Sequence, residues 1–298
     1  MDRSSPMRSV ASAVGSITDV AGGQEFEFSD VDFERVRRLI YRHAGIALNP
    51  SKRNMVYSRL ARRLRAMRTD SFSAYLDRLE RGDSQEWEQF VNSLTTNLTS
   101  FYREAHHFPM LADHLRRLRD RARVNLWCCA ASTGEEPYTL AITAMEAFQT
   151  FTPPVRILAT DIDTQVLEVA RKGMYREEVV QRVAPSILRR YFLKGNGGNA
   201  GFVCVRPEVT QLVTFRQLNL LDETWPIGPS FAAIFCRNVM IYFDKPTQHR
   251  ILRRFTPLLE DDGLLFAGHS ENFSYARELF RPLGQTVYEL ANALYDDR

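Results

Sequence analysis

Carboxylates follow two apolar segments of the chain where a ligand could bind. The apolar run 124–131 leads into the sequence STGEEP, which places Glu135 and Glu136 at the start of an expected helix. A second apolar run, 155–160, is followed at once by Asp161. In an open parallel sheet, ligands bind beyond the carboxyl ends of the strands, and an acid there can accept hydrogen bonds from ribose hydroxyls. Acids at strand ends are also common helix caps, so Asp161 alone is a weak indication of a nucleoside site.

The loop at 132–137 is unsuited to phosphate. It lacks both the G-x-G-x-x-G pattern of dinucleotide sites and the G-x-x-x-x-G-K-[ST] pattern of nucleotide-binding loops. Two carboxylates at a helix N-terminus would repel a phosphate group and suit a ligand with cationic and hydroxyl groups. The acidic loop and Asp161 together therefore favour S-adenosylmethionine over a nicotinamide dinucleotide.

The periodicity of apolar residues divides the chain into a helical part and an alternating part. Helices are expected at 33–44, 50–68, 71–80, 85–94 and 104–121, with no strand pattern between them. From Val124 onward, apolar runs at 124–131, 155–160, 213–218, 231–236 and 263–268 alternate with helical segments. Continuous apolar runs of this kind predict parallel strands buried on both faces of a doubly wound sheet. A last run at 286–290 is expected to add an antiparallel edge strand.

The predicted fold class is therefore α/β, with an all-helical N-terminal domain before a doubly wound, Rossmann-like S-adenosylmethionine domain. The expected divisions are a disordered tail at 1–25, a helical domain at 26–95, a linker and helix at 96–123, and the S-adenosylmethionine domain at 124–298. About 50 residues separate the second and third strands, and a Gly/Asn-rich turn there precedes the alternating run 202–206. This pattern predicts an inserted antiparallel β-subdomain at about 175–212 whose edge is available to a partner. A long ordered loop without a partner is the alternative.

The charge of the chain is segregated. The net charge is +3, yet residues 35–69 contain eleven Lys and Arg and no acid, so the rest of the chain carries −8. Arg59, Arg62 and Arg63 share one face of the expected second helix. Such a block predicts an acidic partner surface, namely nucleic acid, an anionic membrane or an acidic protein. A solvated helix face is the alternative.

The remaining composition excludes several classes of protein. The four cysteines form no C-x-x-C pair and lie in apolar segments, so we expect reduced thiols, a cytoplasmic location and no metal site. No apolar stretch approaches the roughly 20 residues of a membrane-spanning helix. Direct membrane insertion is therefore not expected.

Six segments, in order, resemble one known family. They are TTNLTSFYREAHHF at 95–108, ASTGEEPY at 131–138, ATDID at 159–163, LNLL at 218–221, IFCRNVMIYF at 234–243 and GLLFAGHSENF at 263–273. These segments are similar to those of the chemoreceptor glutamate methyltransferases, the CheR family. The resemblance extends from about residue 28 to residue 290.

The resemblance implies a set of residues that bind S-adenosylmethionine. In the acidic loop the family contact falls on Glu136, with Glu135 as the alternative, and Asp161 matches the acid that binds ribose. Tyr242 matches a tyrosine near the reacting methyl group. The other implied contacts are Asn97, Thr99 and Arg103 beside the linker, Asn219 and Leu220 near adenine, and Arg237 and Asn238 at the methionine end.

The family's reaction is methyl transfer to glutamate side chains of chemoreceptors. A glutamate is already ionised at neutral pH, so direct displacement needs no catalytic base, and Arg103 and Tyr242 are expected to position the reactants. The expected partners are acidic receptor helices docked on the basic helix and a receptor C-terminal peptide bound by strand addition at the glycine-rich turn. The residues implied for these contacts are Arg53, Arg59, Arg62 and Arg63 for docking, and Gly195, Gly197 and Gly201 for the peptide.

Two other functions compete with this interpretation. A basic domain beside an S-adenosylmethionine fold also suits a nucleic-acid methyltransferase. However, residues 237–242 read RNVMIY where base-amino methylases usually carry an Asp/Asn-Pro-Pro-aromatic motif, and no aromatic residues interleave the arginines. No nucleic-acid partner is therefore expected. The second alternative is a catalytically silent receptor-binding adaptor that keeps the fold.

Overall fold

The computed structural model describes residues 25–228 and 230–291. The disordered tail expected at 1–25 lies outside the described residues, apart from Glu25. The described part of the chain begins with four helices, α1 (Asp30–Ala44), α2 (Arg53–Met67), α3 (Phe72–Glu80) and α4 (Ser84–Leu94). Their apolar faces meet in one core around Ile40, Leu60 and Tyr75. The side chains of Ser29 and Ser71 accept hydrogen bonds from the first turns of α1 and α3, which explains where these helices begin.

The segment that joins the two parts differs from its prediction. A single helix was expected at 104–121, but α5 spans only His107–Arg117. Residues 101–106 form turns instead, with positive φ angles at Tyr102 (55°) and Glu104 (53°). A helix cannot continue through such angles, and the turns bring the Glu104 carboxylate within 3.1 Å of Arg237.

The second part contains a seven-stranded sheet in the order β6-β2-β1-β7-β8-β10-β9. Its strands are β1 (Val124–Cys128), β2 (Val155–Asp161), β6 (Val213–Gln217), β7 (Phe231–Cys236), β8 (Leu259–Ala267), β9 (Phe280–Gly284) and β10 (Val287–Leu290). The first five strands pair in parallel. This arrangement confirms the doubly wound sheet. The further helices of this part are α6 (Glu135–Phe148), α7 (Thr164–Lys172), α8 (Pro185–Tyr191), α9 (Pro207–Thr210) and α10 (Lys245–Phe255).

Successive residues of the central strands pack into different cores. Leu126 and Cys128 of β1 belong to the core beneath α5 and α6, whereas Trp127 belongs to the core beneath α10. Strand β7 is buried at all six of its residues. Burial on both faces explains why these strands read as continuous apolar runs.

Two strand predictions were wrong in detail. The run at 286–290 does form an antiparallel strand, β10, but β9 lies outside it and forms the edge of the sheet. The first strand ends at Cys128 rather than at residue 131, and the chain then turns toward the next helix with positive φ angles at Ser132 (48°) and Gly134 (99°).

The insertion contains a second, smaller sheet. Its strands β3 (Met174–Arg176), β4 (Phe192–Lys194) and β5 (Phe202–Val205) pair antiparallel in the order β3-β5-β4. The Gly/Asn-rich turn joins β4 to β5, as the hairpin prediction requires. The outer edges of β3 and β4 are therefore the two edges of this sheet.

Candidate active site

A pocket opens at the carboxyl ends of β1, β2, β6 and β7. Strand β1 lies between β2 and β7, so the strand order reverses here, which is where doubly wound sheets bind ligands. The pocket encloses about 920 Å³ of empty space, part of it open to solvent. It brings together all ten residues singled out as cofactor or catalytic positions, namely Asn97, Thr99, Arg103, Glu136, Asp161, Asn219, Leu220, Arg237, Asn238 and Tyr242.

The two carboxylates of the acidic loop occupy different environments. Glu136 lines the pocket, where its Oε2 lies 2.5 Å from Nη1 of Arg237 and its Oε1 accepts from the Cys128 thiol at 3.2 Å. Glu135 instead accepts a hydrogen bond from the Thr133 hydroxyl at 2.7 Å, and burial raises its pKa. Of the two alternatives, Glu136 is the one that lines the pocket.

Asp161 is buried at the end of β2. Its carboxylate accepts hydrogen bonds from the backbone N–H of Ser132 at 2.8 Å and of Asp163 at 3.0 Å. Burial raises the pKa of the Asp161 carboxyl to about 6, although these hydrogen bonds favour the charged form. Asp161 can therefore accept hydrogen bonds from hydroxyl groups at neutral pH, but its charge is sensitive to mild acid.

Asp163, two residues further on, joins the linker to the sheet. Its Oδ1 accepts from the backbone N–H of Gln165 and Val166 and so caps α7. Its Oδ2 accepts from the Thr95 hydroxyl at 2.6 Å and from the Asn97 amide at 2.8 Å. The linker that carries Asn97 and Thr99 is thereby held against the carboxyl end of β2.

Arg237 is the centre of a buried ionic cluster. Its guanidinium, 3% exposed, lies between Glu136 and Glu104 and also donates to the carbonyl oxygen of Arg103 at 2.5 Å. Glu104 in turn accepts from the amide of Asn238 at 3.1 Å and from the backbone N–H of His269 at 3.1 Å. Hydrogen bonds and the nearby arginine outweigh burial and lower the pKa of Glu104 to about 2. Glu104 therefore stays charged near neutral pH.

Arg103 and Asn219 line the pocket and bond to different parts of the chain. Arg103 Nη1 donates to the carbonyl oxygen of Leu98 at 2.7 Å, which fixes the linker beside the pocket. The amide of Asn219 donates to the carbonyl oxygen of His43 at 2.7 Å, which joins the helical part of the chain to the pocket. Tyr242 contacts the helical part as well, because its carbonyl oxygen accepts from the backbone N–H of Ala47 at 2.9 Å.

Comparison with known proteins decides the family. Residues 31–95 match the all-alpha domain of CheR methyltransferase, and residues 97–289 match its SAM-binding domain. The chain belongs to the CheR methyltransferase family. It is 54% identical over 273 residues to chemotaxis protein methyltransferase 2 of Pseudomonas aeruginosa, an alignment that covers 91% of this chain and 97% of that protein. It is 53% identical over 269 residues to the chemotaxis protein methyltransferase of Escherichia coli, covering 90% and 93%.

The pocket of this CheR methyltransferase fits S-adenosylmethionine, the cofactor that the family implies. Asp161 suits the ribose hydroxyls, and Glu136 suits the ammonium group of the methionine part. The buried Nε of Arg237 has no hydrogen-bond partner among the residues the structure describes, so it can bind the methionine carboxylate. When bound, the cofactor supplies a methyl group on a sulfonium.

The structure gives most of the expected docking arginines internal partners. Arg63 forms a two-point salt bridge with the buried Glu86, with distances of 3.1 and 2.7 Å. Arg59 donates to the carbonyl oxygen of Thr95 at 2.6 Å. Arg53 lies 3.0 Å from Asp30. These tertiary contacts use the guanidinium groups of Arg53, Arg59 and Arg63, and the part of these residues in docking stays a prediction.

A smaller set of cations remains available in the acid-free window. We call it the exposed basic set; its members are exposed and have no ion-pair partner within 25–228 and 230–291. They are Arg38, Arg42, Lys52, Arg62 and Arg68. Among the four arginines implied for docking, Arg62 belongs to this set.

The glycine-rich turn has its own structural requirements. A Cβ on Gly195 would lie 2.1 Å from the carbonyl oxygen of Asn199, so this position needs glycine for space alone. Gly197 and Gly201 have positive φ angles of 54° and 84°. These three glycines shape the β4–β5 hairpin, and their part in peptide binding stays a prediction.

Sequence reasoning missed three carboxylates that organise the site. Asp163, Glu104 and Glu271 act mainly through backbone N–H groups or through other side chains, so no pattern of residue types marked their roles. The segments quoted for the family resemblance contain all three. The described residues contain no helix long and apolar enough to span a membrane, and no group of three or more potential metal-ligating side chains.

Proposed function

We propose that this protein methylates specific glutamate side chains of chemoreceptors, which yields γ-glutamyl methyl esters for adaptation in chemotaxis. The observation that carries the proposal is the pocket in which the ten residues implied by the family meet. Arg103 and Tyr242 line it together with residues of the linker and of the helical part of the chain. The substrate side chain is proposed to reach the cofactor beside Arg103 and Tyr242.

The reaction needs alignment and desolvation rather than proton transfer. In the proposed step, an ionised glutamate oxygen of the substrate forms a bond to the methyl carbon, and the electron pair of the broken C–S bond stays on sulfur. The proton count is unchanged, so the chain supplies no base. Aligning the two reactants can lower the barrier by roughly 7 kcal/mol or more.

Arg103 and Tyr242 are proposed to orient the substrate carboxylate. One Nη of Arg103 is held by the Leu98 carbonyl oxygen, so its guanidinium is already fixed before a substrate enters. Burial raises the pKa of Tyr242, which keeps its hydroxyl protonated and able to donate a hydrogen bond. Arg103→Lys and Tyr242→Phe should therefore lower the rate of receptor methylation more than they lower S-adenosylhomocysteine affinity.

The exposed basic set is proposed to dock acidic methylation helices of the receptor. Charge complementarity of this kind mainly raises the association rate and fixes orientation. Arg62→Glu should raise the KM for receptor and leave S-adenosylhomocysteine affinity unchanged. Arg119→Glu, at an exposed position just after α5, is the matched control for the same charge change. Equal effects of the two variants would contradict a local docking role.

The β-subdomain is proposed to bind a C-terminal receptor peptide by strand addition. The outer edges of β3 and β4 support this idea because an added strand can continue the small sheet there. Such a tether would raise the local substrate concentration without changing the chemistry, and it would place the enzyme at receptor arrays of the inner membrane. Calorimetry with receptor tail peptides tests it, and absence of binding to every tail from the same organism would contradict it.

Incubation with labelled S-adenosylmethionine and receptor-containing membranes tests the central proposal. Base treatment should release labelled methanol, because methyl esters hydrolyse whereas N-methyl groups survive. Label that stays on protein or passes to nucleic acid would favour another methyltransferase. Tight S-adenosylhomocysteine binding without any transfer would favour the silent adaptor.

A further inference from the structure

Glu271 is a buried carboxylate in the loop after β8. It is 4% exposed, and no Lys, Arg or His lies within salt-bridge distance among the residues described. Instead, it accepts hydrogen bonds from three backbone N–H groups, those of Gly268 at 2.6 Å, Asn238 at 2.9 Å and Ile241 at 3.3 Å. A buried charge held by backbone dipoles is costly, so its position calls for an explanation.

The three donors belong to the two segments that follow the paired strands β7 and β8. Gly268 follows β8, whereas Asn238 and Ile241 belong to the segment after β7. Asn238 has a positive φ angle of 57°, in the left-handed region that asparagine adopts more readily than most other non-glycine residues. The Glu271 carboxylate accepts hydrogen bonds from the N–H of Asn238 itself and from the N–H of Ile241, three residues further along.

The segment held in this way forms one wall of the cofactor pocket. Asn238, Val239 and Tyr242 all line the pocket, whereas Glu271 does not. We propose that Glu271 is a positioning residue, which sets the conformation of residues 238–242 and thereby the cofactor-binding geometry of Asn238 and Tyr242. It acts through the backbone and does not touch the reacting atoms.

The packing around Gly268 supports the same interpretation. A Cβ on Gly268 would lie 2.4 Å from the amide nitrogen of Asn238 and 2.8 Å from Oε2 of Glu271. Gly268 is therefore required for the carboxylate and the Asn238 amide to come together. Gly268→Ala should therefore push the Asn238 amide and the Glu271 carboxylate apart, while the Glu271 side chain itself is unchanged.

Glu271→Gln is the first variant. It keeps the size of the side chain but turns an NH₂ group toward backbone donors, so at least one hydrogen bond to the charged carboxylate is lost. We expect S-adenosylhomocysteine affinity to fall by about ten- to a hundredfold, measured by calorimetry on the full chain. Hydrogen exchange at the amides of Asn238 and Ile241 should accelerate.

Glu86→Gln is the matched control, since Glu86 is also a buried carboxylate, 3% exposed, but lies in the helical part of the chain. It should lower Tm and leave S-adenosylhomocysteine affinity within about twofold of the wild type. Gly268→Ala should reproduce the affinity loss of Glu271→Gln. The proposal is overturned if Glu271→Gln binds S-adenosylhomocysteine as tightly as the wild type does. It is also overturned if Glu86→Gln loses as much affinity as Glu271→Gln when the two variants lose the same amount of Tm. Because ligand binding needs no receptor, these outcomes are independent of the proposed substrate.

Discussion

Mild acid should weaken cofactor binding through Asp161. Burial raises the pKa of this carboxyl to about 6, and the ribose hydroxyls would need its charged form as an acceptor. If the ligand binds the ionised form, the Kd rises by the ratio of total to ionised Asp161. For a pKa of about 6, the Kd of S-adenosylhomocysteine should rise about twofold at pH 6 and about tenfold at pH 5, relative to pH 7.5.

The effect on stability has the opposite sign. Because the folded state raises the pKa of Asp161 above the value in the unfolded chain, the folded state binds the proton more tightly. Asp161 alone therefore favours folding as the pH falls from about 6 toward 4. Protonation of Asp161 therefore cannot lower the affinity in that pH range by unfolding the protein. Measurement of Tm at each pH tests whether the protein remains folded.

Calorimetry of S-adenosylhomocysteine between about pH 5 and 8 measures the effect, with Asp161→Asn as the control. The variant keeps the size of the side chain but has no charge to lose, so its affinity should be lower and nearly independent of pH. Two results would refute the reasoning. One is a wild-type affinity that stays constant down to pH 5, and the other is an undiminished pH dependence in Asp161→Asn.

Three further predictions concern the stability of the folded protein. Arg63→Ala should lower the free energy of unfolding by roughly 3 kcal/mol in urea titrations, because it leaves the charge of Glu86 buried without its partner. Gly134→Ala should lower it by about 1–3 kcal/mol, since φ is 99° there and a Cβ would lie 2.8 Å from the Tyr175 hydroxyl; an unchanged Tm would contradict this. The pKa of Glu104 is lowered to about 2, so its stabilisation is complete above about pH 4.5 and is lost as the pH falls toward 2. Glu104→Gln should therefore show a weaker loss of stability over that range than the wild type.

The sheet was largely predictable because strands buried on both faces are apolar at consecutive positions in the sequence. Strand β7 is buried at every residue and reads as an unbroken apolar run. Strand β9 was missed because only Phe280 of its five residues is buried and the segment contains Pro282. Proline is tolerated in a strand at the edge of a sheet, where one side has no ladder to join, and β9 lies at that edge.

The site was predictable where side chains face the ligand and unpredictable where they act on the backbone. Asp161 and Glu136 stand at strand and helix ends, so their positions followed from the fold. The turn through Glu104 could not be foreseen, because its positive φ is enforced by contacts with Arg237 and Asn238, more than 130 positions away in the chain.

The basic window shows the same limit for electrostatics. Residue counts correctly placed eleven cations in a segment without acids. They could not show that acidic residues of α3 and α4 form salt bridges with this segment. Asp77 of α3 pairs with Arg35, and Glu86 of α4 pairs with Arg63. Local charge composition overestimates the free charge of a surface whenever later helices fold back against it.

The contacts made by Asp163 bear on how this protein can be divided. The two matched domains meet at residues 95 and 97, which looks like a natural place to cut the gene. Yet the Thr95 hydroxyl bonds to Asp163, and Asn92 lies within hydrogen-bond distance of Thr164 at the start of α7. A fragment beginning at residue 97 would lose these bonds and release one end of the linker that shapes the pocket. The smallest autonomous cofactor-binding unit should therefore retain α4, and chimaeras that exchange the helical part for that of a relative should be joined upstream of α4.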